Sequence, residues 1–174
     1  LMMFVGRLSK EKNLKFLYPV MEKLRTIVPG ARLAFVGGGP NEDALQEKFP
    51  REWCTFMGYM RGEELASAFA SADVFLFPSK TETLGLVALE AMASGIPVVG
   101  ARAGGIPFTV VDGETGFLAT PDATDEWGTR IRAAYENADF PAQARVEAEK
   151  YSWAEATKTL VQKYRDALAA HEEH

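Results

Sequence analysis

Residues 73–101 read DVFLFPSKTETLGLVALEAMASGIPVVGA. DVFLFP (73–78) is a short apolar run closed by proline, the signature of a strand covered on both faces. Residues 84–94 are rich in Leu, Ala and Met, with Glu90 as the one ionisable side chain, and predict a helix. IPVVGA (96–101) returns to a short apolar, partly β-branched run that reads as a second strand. Strand, helix and strand in immediate succession make a βαβ unit, so the two strands are parallel.

The same alternation extends outward in both directions. LMMFVG (1–6), ARLAFVG (31–37) and CTFMG (54–58) read as strands, and GFLA (116–119) as a weaker one. Helical segments are expected at 13–28, 41–48, 62–71 and 122–138, then at 141–151 and 153–170, with Ser152 as N-cap of the last. Within 13–28, Leu14, Leu17, Met21, Leu24 and Val28 form one apolar stripe. Pro19 interrupts it, so that helix is kinked there or starts close by. The expected fold is α/β: a Rossmann-like, doubly wound parallel sheet of six strands with helices on both faces, one domain over 1–174. Right-handed crossovers put every strand-to-helix loop at one edge, where such sheets bind ligands.

Composition narrows the function. With 174 residues, 47% hydrophobic and 25% charged, the chain can bury a substantial core and is not of the disordered class. No apolar run reaches the eighteen or so residues of a membrane span, and no basic stretch followed by an apolar one marks a signal peptide at Leu1. Cys54 is the sole cysteine and no Cys/His cluster has metal-ligand spacing, so no metal site is expected. A net charge of −5 disfavours nucleic acid as the main partner. The first fifteen residues nevertheless carry Arg7, Lys10, Lys12 and Lys15 against Glu11, which suits a small anion, although a solvated charge run would look the same. His171 and His174 fall at the chain end and are poorly placed for a catalytic base.

Four loops carry the candidate chemistry. In GRLSKEKN, Gly6 lets the backbone turn, and Arg7 and Lys12 offer a planar fork and a mobile point charge to a diphosphate; an ordinary basic surface loop would have the same residues. VGGGPNED brings Gly37, Gly38 and Gly39 to the end of a strand, but a dinucleotide fingerprint starting at Gly37 needs glycine where Glu42 stands, so a dehydrogenase is disfavoured. Close approach to some ligand and a plain tight turn both remain. In SKTETLGL, Thr81 or Thr83 is expected to cap the helix, with the amides of Leu84, Gly85 and Leu86 forming an anion site. Glu82 lies in that loop. Glu90 lies about two turns inside a helix expected to be buried nearly all round, where a carboxylate needs a partner. Either a cation, Arg102 or Lys80, or the diol of a ribose would serve. In ARAGGIPFTVVDGETGFLA, Gly104 and Gly105 allow close approach or hairpin-like turning, and Asp112-Gly113 and Thr115-Gly116 read as plain turn residues.

Assembled in this order, FVGRLSKEKN, ARLAFVGGGP, FMGYMRGEELASAFASADVFLFPS, ETLGLVALEAMASGIPVV, ARAGGIP, GETGFL and YSW resemble, over nearly the whole chain, the C-terminal donor-binding domain of a GT-B glycosyltransferase of retaining family 4. Glu82 and Glu90 reproduce the family's E-x7-E spacing. Among subfamilies the chain is most similar to sulfolipid synthases, which transfer sulfoquinovose from a UDP donor to diacylglycerol. The resemblance implies a UDP-sugar as substrate and no cofactor. Arg7 and Lys12 would hold the diphosphate, Glu82 the donor sugar, and Glu90 the ribose diol. Gly37 to Gly39 would approach the nucleotide. Met57, Gly58 and Tyr59 would hold the base through backbone groups, and Thr83 to Leu86 would present amides to sugar and phosphates. The family's metal independence agrees with the lack of a DxD-like motif. The partners implied are a nucleotide sugar, an N-terminal acceptor-binding domain absent from this chain, and a lipid or polysaccharide acceptor. Membrane contact is expected to be peripheral at most and made through the full-length protein. By itself this domain is then expected to be inactive. A sulfolipid role would place the protein in a plastid or a cyanobacterial cell. One departure stands out: relatives carry Asp or Glu after GGIP where this chain has Phe108. A nucleotide-sugar 2-epimerase would need acid/base groups not seen in this sequence, and a non-catalytic nucleotide-binding module would need no upstream domain.

Overall fold

In the computed structural model, which describes residues 1–172, six short strands form one parallel sheet. They are β1 (Met2–Val5), β2 (Leu33–Val36), β3 (Cys54–Phe56), β4 (Val74–Phe77), β5 (Val98–Ala101) and β6 (Gly116–Ala119). The order across the sheet is β3-β2-β1-β4-β5-β6, with Met2 of β1 level with Leu33 of β2 and Val74 of β4. The helices are α1 (Leu17–Ile27), α2 (Glu42–Gln46), α3 (Gly62–Ala70), α4 (Leu86–Ala93), α5 (Thr124–Glu136), α6 (Phe140–Glu149) and α7 (Trp153–Glu172). Every expected strand and helix forms, most with ends drawn in by a residue or more. Among the described residues no helix is long and apolar enough to cross a membrane.

The central strands are apolar at every position because helices cover both faces; β1, β2, β4 and β5 are buried throughout. The edge strand β3 exposes Thr55, while its neighbour Cys54 is buried. α1 packs with α5 and α4 with α6. Phe4, Phe35, Phe75 and Phe77 link three neighbouring strands; Phe4 lies 6.2 Å from Phe35 and 6.5 Å from Phe75, ring centroid to centroid. Pro19 occupies the first turn of α1, where the N–H it lacks would have no α-helical partner, so the α-helix starts close to it, directly after a 3₁₀ turn at Leu14–Phe16. The Trp127 indole is fully buried and donates to the Thr120 carbonyl at 3.0 Å, tying α5 to the end of β6.

Three readings of the sequence need correction. α4 is not buried all round: Ala88, Leu89, Ala91 and Met92 are covered, but Leu86 is 61% exposed and Glu90 is exposed too. The helix has more apolar side chains than β4, β5 and α6 can cover, so Leu86 and Glu90, four apart, share its outer stripe. Asp112 is more than a turn residue. It accepts from Arg102 at 2.7 Å and from the Leu118 amide at 2.9 Å, stapling the loop before β6 to the end of β5. Burial works to raise its carboxyl, but the Leu118 amide and the Arg102 guanidinium outweigh that and hold it below the usual carboxylate range. Neither of these cations pairs with Glu90: Arg102 takes Asp112 and Lys80 takes Asp122.

Ser152 does cap α7, accepting from the Glu155 amide at 3.2 Å. From residue 152 to residue 169 the chain is exposed, including Trp153, Leu160, Tyr164 and Leu168. His174 lies outside the described residues, and His171 is described in its backbone only.

Candidate functional site

The strand order runs outward in opposite directions from β1 and β4, so the loops after these two strands part and leave a crevice at the sheet's carboxyl edge. A cleft of about 400 Å³ fills it. Phe4 and Phe77 contribute apolar lining, Gly6, Arg7 and Lys12 come from the first loop, and Glu82 to Val87 from the second. Lys12 Nζ and Glu82 Oε1 meet at 2.5 Å, with only 23% and 13% of their side chains exposed. Arg7 is exposed and makes no ion pair among the described residues. The first loop is shaped by a 3₁₀ turn, Lys10–Lys12, that ends on Asn13 in the left-handed region at φ 56°.

The second wall is the start of α4. Its N-cap is Gly85 at φ 77°, and no side chain caps it, so neither Thr81 nor Thr83 has the expected role. A Cβ at Gly85 would sit 2.8 Å from Phe77 Cε1, so glycine is required both by the backbone and by the ring beneath it. Among the described residues the amides of Leu84, Gly85, Leu86 and Val87 find no acceptor. Unpaired amides and the positive end of the helix dipole therefore border the cleft opposite Arg7, an arrangement suited to an anion.

A second cavity of about 430 Å³ shares Val5, Gly6 and Arg7 with the first and continues along β2 to Gly37, Gly38, Tyr59 and Leu65. Tyr59 is 70% exposed, with the Arg61 guanidinium 4.8 Å from its ring centre. Gly37 and Gly39 answer first to their own chain: a Cβ would lie 2.1 Å from the Gly6 carbonyl oxygen at Gly37 and 2.5 Å from that of Leu8 at Gly39. The Gly58 carbonyl accepts from the Gly37 amide at 2.7 Å. Met57, Gly58 and Gly39 do not line this cavity, and Glu90 lines neither. Phe108 stands 74% exposed, and its carbonyl accepts from the Tyr151 hydroxyl at 2.9 Å. Its loop is held to the site loop by the Gly105 amide, which donates to the Glu82 carbonyl at 2.7 Å.

Several lining residues lie outside the candidate loops of the sequence analysis: Phe4 and Phe77 read as strand, Leu65 as helix, and Met60 falls between a strand and a helix. Asp122, which follows β6 at φ 63°, also lies outside those loops. Asp122 Oδ1 accepts from Asn13 Nδ2 at 3.0 Å, and its other oxygen takes Lys80. Lys80 first and Asn13 second hold this carboxyl below the usual range. Asn and Asp tolerate left-handed backbone better than other side chains do, and that tolerance was the one available signal. Among the described residues no three His, Cys, Asp or Glu side chains are grouped to hold a metal ion.

The chain is similar to proteins already known. Sulfoquinovosyl transferase SQD2 of Arabidopsis thaliana is 44% identical over 167 residues, which is 92% of this chain and 32% of that protein. Sucrose-phosphate synthase from Thermosynechococcus elongatus shares the fold with a TM-score of 0.82 at 28% identity, over 97% of this chain and 46% of the other. Anabaena HepE, solved with UDP and glucose, gives a TM-score of 0.77 at 25% identity, over 97% and 47%. The chain therefore spans less than half the length of these proteins. The family model described as glycosyl transferases group 1 matches residues 1–137, and it is to this family that the chain belongs.

Proposed function

We propose that this chain binds a nucleoside diphosphate sugar, with UDP as the carrier, and is the donor half of a retaining glycosyltransferase whose acceptor is a lipid or a polysaccharide. The observation that carries the reading is the meeting of Arg7, Lys12 and the uncapped start of α4 in one cleft at the β1/β4 crevice. When the bond from the anomeric carbon to the diphosphate breaks, the bonding pair leaves with the phosphate oxygen. Two cations and a set of oriented amides stabilise that charge where it develops. Glu82, beside Lys12, would accept from sugar hydroxyls. Glu90, exposed and without an ion-pair partner among the described residues, is free to accept from both hydroxyls of a ribose. The second cavity, with Gly38 and the Tyr59 ring, is where the base would lie. A sulfoquinovosyl transferase among the relatives supports sulfoquinovose as the sugar, and the resemblance to sulfolipid synthases supports diacylglycerol as the acceptor.

Thermal unfolding with and without nucleotide tests this. UDP at one hundred times its Kd should stabilise the chain by about 2.7 kcal/mol, a rise of several degrees in Tm, and Glu90→Gln should shrink the rise. If neither UDP nor GDP moves Tm at millimolar concentration, the donor reading fails.

A further inference from the structure

Among the described residues only two that are not glycine adopt left-handed backbone, Asn13 at φ 56° and Asp122 at φ 63°. They stand 109 positions apart in sequence, and their side chains meet at 3.0 Å. Asn13 closes the 3₁₀ turn that carries Lys12, and Asp122 follows β6. Asp122 Oδ2 takes Lys80, two residues before Glu82, and Asn13 Nδ2 also approaches the Pro78 carbonyl at 3.5 Å. One carboxylate thus joins the loops after β1, β4 and β6. β6 is three places from β1 in the sheet, so the loops after the two strands together close a gap of about 14 Å across the strand ends.

We propose that Asn13 and Asp122 form a clasp that positions the Lys12–Glu82 pair, which makes Asp122 a positioning residue for the donor site. Through its second contact with Lys80, Asp122 ties together the same two loops that the pair bridges: Asn13 follows Lys12 directly, and Lys80 precedes Glu82 by one intervening residue. Glycine would make either turn without strain, yet neither turn uses it. What the two side chains add is the tie between the turns. Asp122 and Lys80 are half exposed, and exposed ion pairs stabilise a fold little, so the effect belongs to where the loops sit and not to global stability. The role in binding rests on the donor-site reading; the clasp itself does not.

Three variants separate the parts. Asp122→Gly keeps the left-handed turn and removes the carboxylate. Asp122→Asn keeps an acceptor for Asn13 and removes the charge that holds Lys80. Asn13→Gly removes the other half of the clasp. Each is measured by amide hydrogen exchange over 10–13 and 79–84, by UDP affinity in calorimetry, and by Tm. Asp122→Gly should speed exchange in both loops and weaken UDP about fivefold with little change in Tm, and Asp122→Asn should fall between it and wild type. The Asp122→Gly/Asn13→Gly double variant should be no worse than either single one. Wild-type exchange in Asp122→Gly, with UDP bound normally, overturns the clasp alone. Faster exchange with unchanged UDP affinity overturns its positioning role. A wild-type chain that binds no nucleoside diphosphate overturns the donor reading and the clasp's part in binding, while exchange still decides whether the clasp exists.

Discussion

Lys12 is ion-paired with Glu82, and a diphosphate entering the cleft competes for it. The two residues therefore pull in opposite senses on a ligand that has phosphates but no sugar. Glu82→Gln should tighten UDP by about threefold, because it releases Lys12 from its pair. The same change should reduce the extra affinity that a sugar-bearing donor has over UDP. Calorimetry with both ligands checks the two effects together, and a loss of UDP affinity would show that Glu82 supports the phosphate site. Arg7, Lys12 and Glu82 were legible in the sequence because each lies in a loop that follows a recognisable strand. Glu90 was misread because burial was inferred from the composition of its own helix, whereas burial depends on what packs against each face. Asn13 and Asp122 could not be paired from sequence at all, since nothing local links two residues 109 positions apart.

At the level of elements, α4 owes its place to Gly85. Alanine there meets both a left-handed backbone at φ 77° and the Phe77 ring, 2.8 Å from where its Cβ would lie. Gly85→Ala should cost about 1–3 kcal/mol in urea unfolding and should diminish the UDP-induced rise in Tm, because the amides around the helix start move with the cap. A stability loss with full UDP response would separate the cap from the site. The helices and strands were readable because their apolar patterns have distinct periods. The capping of α4 was not, since Thr81 and Thr83 are good cap residues by type, and only the ring of Phe77 beneath the turn fixes where the helix begins. Asp112 shows the same limit: an Asp-Gly pair looks like a turn until Arg102 and the Leu118 amide are brought beside it.

Across the whole molecule, two carboxyls act as staples around β6, Asp112 on the Leu118 amide and Glu126 on the Thr120 amide. Asp112 stays below its usual range because the Leu118 amide and Arg102 outweigh the effect of burial. Glu126 is lowered first by hydrogen bonding from Thr120, whereas half-exposed Asp122 adds little to global stability. A carboxyl lowered in the fold binds protons more readily in the unfolded chain, so its contribution is complete above the unfolded values of 3.8 for Asp and 4.5 for Glu. That contribution disappears as pH falls through the lower folded values. Urea midpoints should therefore be level from about pH 7 to pH 5 and fall below about pH 4, and Asp112→Asn should flatten the fall. The alternation of elements made the parallel sheet legible. The crevice between β1 and β4 needed the strand order as well, which follows from how six strands share two faces of helices and is not written in any one segment.

Cys54, the sole cysteine, is buried in β3 at the edge of the sheet, and burial pushes its thiol up to about 12. While β3 stays docked the sulfur is protonated and shielded, so it is chemically silent at neutral pH. Its reaction with a thiol reagent thus keeps time for the peeling of one sheet edge. β2 and β1 lie between that edge and the Lys12–Glu82 crevice, so the sulfur records breathing of the scaffold separately from motion of the site loops.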